Sequence, residues 1–123
     1  MRPEARTPEE LETLFEDTFV TRDGDALARL FEDGAVLLTR DGSMEARGGG
    51  RIAELAAAMW ERGCTYLADP QRVLQARDTA LVVADCGINV VRRGSDGTWR
   101  YAISLMSFDP QHERRSSEPS EDT

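Results

Sequence analysis

The sequence predicts an α+β fold in which three N-terminal helices pack on a curved antiparallel sheet. Two observations predict it. Apolar residues recur at helical spacing through most of the chain up to about residue 62, and from Gly63 onward strands and tight turns alternate. The 123 residues suit one domain, placed at 8–109 between a flexible N-terminus (1–7) and a disordered tail (110–123).

Thr7-Pro8-Glu9-Glu10 is a capping box: a hydroxyl cap, proline in the first turn and a glutamate three residues after the threonine. Leu11, Leu14, Phe15 and Phe19 then form one apolar face of a helix over about 8–21. Asp23 or Asp25 caps a short second helix with Leu27, Leu30 and Phe31 inside, and Gly34 suits its left-handed end. Ala35–Leu38 reads as a brief strand. A third helix over about 49–62 places Ile52, Leu55, Ala56 and Met59 on one face before Gly63 stops it.

Tyr66–Ala68 and Arg72–Ala76 read as one bent strand interrupted near Pro70. Thr79–Ala84 and Ile88–Arg93 are rich in β-branched residues, and Asp85-Cys86-Gly87 between them reads as a shortened hairpin. Ser95-Asp96-Gly97 turns the chain into a last strand, Trp99–Phe108. From Pro110 onward there is little apolar side chain to bury, which predicts disorder.

Composition excludes several functions. Apolar residues make up 40% and charged ones 31%, ordinary for a globular chain, and no apolar run approaches a membrane span. With no signal-peptide core after Met1, the chain reads as cytoplasmic. The net charge is −8 and all 15 basic residues are arginine, so lysine-dependent chemistry is excluded and nucleic acid is an unfavourable partner. Cys64 and Cys86 stand in no metal-ligand spacing and read as buried thiols. The single histidine, His112, lies in the tail, so histidine triads and multi-histidine zinc sites are closed off. No metal or cofactor is expected.

The ordered set Gly24-Asp25, Leu30–Val36, Gly48–Ile52, Arg77–Val83 and Asp96–Arg100 resembles the nuclear transport factor 2-like superfamily, over about residues 8–108. Within it the chain is most similar to small bacterial SnoaL-like and ketosteroid isomerase-like proteins. The resemblance implies a cone-shaped barrel with a cavity between helices and sheet. The isomerases use a carboxylate base, a tyrosine donor and a protonated aspartic acid. Those positions fall here on Thr39, Phe15 and Asn89, so two of the three groups are lost. Asn89 keeps the capacity to donate to a carbonyl ligand, or else is an amide satisfied by neighbouring backbone. Histidine-dependent dehydration is excluded. Water activation between two carboxylates and an arginine would have to use Asp85 and Arg93, both at strand ends.

Strict alternation and the resemblance together place Asn89, Ala102, Ser104 and Met106 toward the cavity. Phe15, Phe19, Phe31, Leu55 and Met59 line it or fill a core, Trp60 and Tyr66 stand at its mouth, and Thr39 adds a neutral polar contact. This cavity lacks a strong base. The opposite face, Trp99, Tyr101, Ile103 and Leu105 with Ile88 and Val90, is apolar enough to predict a homodimer. The leading functional expectation is binding of a small, mostly apolar, polyketide- or terpenoid-like molecule. The alternative is a noncatalytic dimerisation or accessory module with a filled cavity. A cyclase or isomerase using acid–base chemistry comes third.

Overall fold

A computed structural model describes residues 4–66 and 69–110. Three helices, α1 (Pro8–Thr21), α2 (Gly24–Ala28) and α3 (Gly49–Glu61), precede most of the strands. The strands are β1 (Phe31–Thr39), β2 (Glu45–Arg47), β3 (Cys64–Thr65), β4 (Pro70–Ala76), β5 (Thr79–Ala84), β6 (Gly87–Arg93), β7 (Trp99–Met106) and β8 (Asp109–Pro110). Six of them form one curved sheet in the order β2-β1-β7-β6-β5-β4, and β3 pairs with β8 in a small second sheet.

The helix starts follow local chemistry. The Thr7 side chain accepts from the Glu10 N–H at 3.1 Å, and the Asp23 carboxylate accepts from the Ala26 N–H at 3.0 Å. The short hairpin is also as expected: β5 and β6 are antiparallel and close at Ala84 opposite Gly87. A Cβ on Gly87 would stand 2.6 Å from the Leu105 carbonyl oxygen, so this glycine is required by space. Residues 94–98 make the second turn, with Gly97 at φ 81°.

Several expectations need correcting. The sheet is mixed rather than antiparallel, because β1 runs parallel to β7. The second helix ends at Ala28, and Leu30 and Phe31 lie beyond it: Tyr101 N–H bonds to the Leu30 carbonyl and Phe31 enters β1 opposite Tyr101. Gly34, at φ 78°, is therefore no helix end but sits in the irregularity between Phe31 and Val36. β2 was not foreseen. β3 at Cys64–Thr65 was not foreseen and pairs with β8, while of the expected bent strand Tyr66 lies in no strand and residues 67 and 68 lie outside the described residues. At the termini, Ala5 is buried and its carbonyl accepts from the Trp99 N–H, and Pro110 belongs to β8. His112 and the tail from 111 on lie outside the described residues.

Candidate functional site

One side of α1 carries an acid among its apolar residues. Glu12 stands three residues before Phe15 and seven before Phe19, so helical geometry turns all three inward. Glu12 is 1% exposed, and its carboxylate accepts three hydrogen bonds from distant parts of the chain. Tyr66 Oη donates to Oε1 at 3.0 Å. Tyr101 Oη and Asn89 Nδ2 donate to Oε2 at 2.7 and 3.2 Å. Burial raises the Glu12 pKa and the nearby Glu16 adds to the rise, while the three donors pull the other way without cancelling it. Burial and the Glu12 charge together push both tyrosines above their ordinary value.

Aromatic rings pack around this cluster. Phe15 meets Tyr66, Tyr101, Phe19 and Phe31 with centroids 4.7–6.0 Å apart, and Phe108 stacks on Phe19 at 5.5 Å. Beside these rings, the buried atoms Asn89 Oδ1, Ser104 Oγ and Trp60 Nε1 have no hydrogen-bond partner among the described residues. Leaving such a group unpaired costs about 1–3 kcal/mol. Asn89 and Ser104 are direct partners across β6 and β7, so two of the three share one place on the inner face.

The overall fold is similar to that of several solved structures. A ketosteroid isomerase-like protein from Erwinia carotovora atroseptica is 21% identical over 81% of this chain and 92% of its own, with a TM-score of 0.65. A nuclear transport factor 2-like protein with a cystatin-like fold, from Novosphingobium aromaticivorans, is 21% identical over 88% and 84%, at 0.65. A protein of unknown function from Nostoc punctiforme, also cystatin-like, is 18% identical over 82% and 87%, at 0.66. The chain has the nuclear transport factor 2-like fold. No family model and no curated protein matches the sequence.

Within this nuclear transport factor 2-like fold the expected site residues separate into groups. Asn89, Ser104, Ala102 and Met106 are all buried on β6 and β7. Phe15, Phe19, Phe31 and Tyr66 form the ring cluster, with Met59 and Trp60 buried on α3, so these residues fill the interior, Phe31 also bordering a surface cleft. Leu55 is half-buried and borders a shallow surface depression with Met44 and Ala46. Thr39 is buried but locally committed: its hydroxyl donates to Asp41 at 2.8 Å and accepts from the Met44 N–H at 3.1 Å. Bonds from the Ser43 backbone and hydroxyl, then from Thr39, lower the Asp41 pKa to about 2. A cleft of about 850 Å³ lies elsewhere, bordered by Leu14, Asp17, Arg29, Phe31, Trp99 and Arg100.

The expectation of an interior without a strong base is overturned by Glu12. So is the assignment of Trp99 and Tyr101 to a dimer interface: both are at most 1% exposed inside their own chain. The cause is a bulge. Val90 pairs with Ile103 and Val91 with Tyr101, so Ala102 is an extra residue in β7. Alternation inverts there, turning Trp99 and Tyr101 inward while Ser104 and Met106 stay inward. Ile103 and Ile88 remain exposed outside, with Val90 and Leu105 half-buried. Asp85 accepts from Gln71 at 2.9 Å, whereas Arg93 pairs with Asp78 and lies over Trp99, so the carboxylate–arginine arrangement is not assembled. Cys64 is buried, Cys86 half-buried, and neither forms a disulfide. Sequence reasoning missed Glu12; the signal that could have found it is its place three residues before Phe15 on the buried side of α1.

Proposed function

We propose that this protein binds a small, mostly apolar molecule on the inner face of its sheet, which with the helices forms a cone-shaped barrel. One observation carries the reading: Asn89 Oδ1 and Ser104 Oγ belong to directly paired, buried residues and have no hydrogen-bond partner among the described residues, in an interior rich in rings and aliphatic groups. Small-ligand sites combine an apolar lining with a few placed polar groups. The rings of Phe19, Tyr66 and Phe108 would have to shift to admit the molecule. Glu12 supports binding rather than proton transfer, because its oxygens are held by three donors. The acid–base reading accordingly ranks below binding.

A thermal-shift and calorimetric screen of terpenoid- and polyketide-like molecules tests this, with the site mapped by NMR shifts at Asn89 and Ser104. Saturable binding is expected, and Ser104→Leu, which fills the space, should remove it. If no such compound binds saturably, the second reading takes over. In that reading the interior is filled by the ring contacts around Phe15, and the protein is an accessory module acting through a homodimer.

A further inference from the structure

Resting on that reading, we propose that the interior site selects an alcohol or phenol hydroxyl over a ketone or a carboxylate, because Asn89 and Ser104 present it with one acceptor and one hydroxyl. The orientation of the Asn89 amide decides this. Nδ2 donates to Glu12 Oε2 at 3.2 Å. Turning the amide over would set Oδ1 against the Glu12 carboxylate, so its acceptor faces away from the cluster. There Oδ1 has no partner among the described residues, and Asn89 is 0% exposed.

Across the strands, Ser104 is 2% exposed and its hydroxyl likewise has no partner among the described residues. It offers one donor and acceptor capacity. A ligand hydroxyl satisfies both residues at once, donating to Asn89 Oδ1 and accepting from Ser104 Oγ. A ketone oxygen accepts from Ser104 but leaves Asn89 Oδ1 unpaired. A carboxylate has the same defect and adds a negative charge near Glu12. One of the two Asn89 donor hydrogens is thus already committed to Glu12 inside the protein.

Calorimetry with two matched pairs, borneol against camphor and cyclohexanol against cyclohexanone, together with cyclohexanecarboxylate, tests the selection. Each alcohol should bind roughly tenfold or more tightly than its ketone, as an unpaired buried acceptor implies, and the carboxylate should bind more weakly still. Ser104→Ala, a mild change that keeps the Glu12 cluster intact, should weaken the alcohols while Asn89 preserves part of their preference. Ketones binding as tightly as alcohols, with NMR shifts still at Asn89 and Ser104, would overturn this inference and leave the binding reading standing. Failure of every compound to bind, with a water alone bridging the two residues in a crystal structure, would overturn both.

Discussion

Glu12 is the residue on which the interior chemistry turns. Folded, it binds its proton more tightly than the unfolded chain does at the ordinary 4.5, because burial penalises the charged form more than the three donors favour it. The folded state therefore holds more protons between 4.5 and the raised value, and stability falls as pH rises through that interval. The groups facing Glu12 are Tyr66, Tyr101, Asn89 and the Glu16 carboxylate. Glu12→Gln should remove this slope, so the stability of the native protein relative to the variant should decline as pH rises from 4.5. Chemical denaturation at a series of pH values measures it, and a constant difference would show that Glu12 titrates alike in both states. Tyr101→Phe should cost about 1–3 kcal/mol by the same method, since it leaves a buried Glu12 oxygen short of a donor.

At the scale of elements, caps and tight turns determine where helices and strands begin and end. Thr7→Ala should cost about 1 kcal/mol by removing the α1 cap, read from equilibrium denaturation. Gly87→Ala should cost about 1–3 kcal/mol, because its Cβ would stand 2.6 Å from the Leu105 carbonyl oxygen and the neighbouring Met106 backbone leaves little room. An alanine variant as stable as the native protein would mean that the β5–β6 hairpin shifts freely against β7. These boundaries were largely legible, because a hydroxyl before Pro8 or a glycine after Cys86 acts within a few residues. The extent of β1 was not. Phe31 joins it by pairing with Tyr101, seventy positions away, and local propensity carries no trace of that contact.

Across the whole molecule, the outer sheet face supports the proposed dimer. Leu74, Leu81, Val90, Ile103 and Val36 form one continuous cross-strand row, and Val83, Ile88, Leu105 and Leu38 form the next. Ile103 at 57% exposure and Leu74 at 54% are large apolar side chains left in water on a single chain. The protein should sediment as a dimer at micromolar concentration. Ile103→Asp should shift it to monomer while leaving the fold intact, because this side chain contributes little to the chain's own core. A native monomer at every concentration tested would remove the dimer from the proposal.

The sequence by itself determined the α+β class, the three helix starts, the short β5–β6 hairpin and the inward placement of Asn89 and Ser104. Each follows from short-range periodicity, capping or turn chemistry, or from an ordered set of short motifs. Only the tertiary structure decided which face of β7 holds Tyr101, because the extra residue at Ala102 inverts the alternation and becomes visible only when β6 sets the register. The same pairing brings Tyr101 and Asn89 to Glu12 with Tyr66, making one buried polar cluster from four separate stretches of chain. An acid on a helix face reads as solvated until its donors are in place, and here they arrive from strands and a loop more than fifty residues downstream.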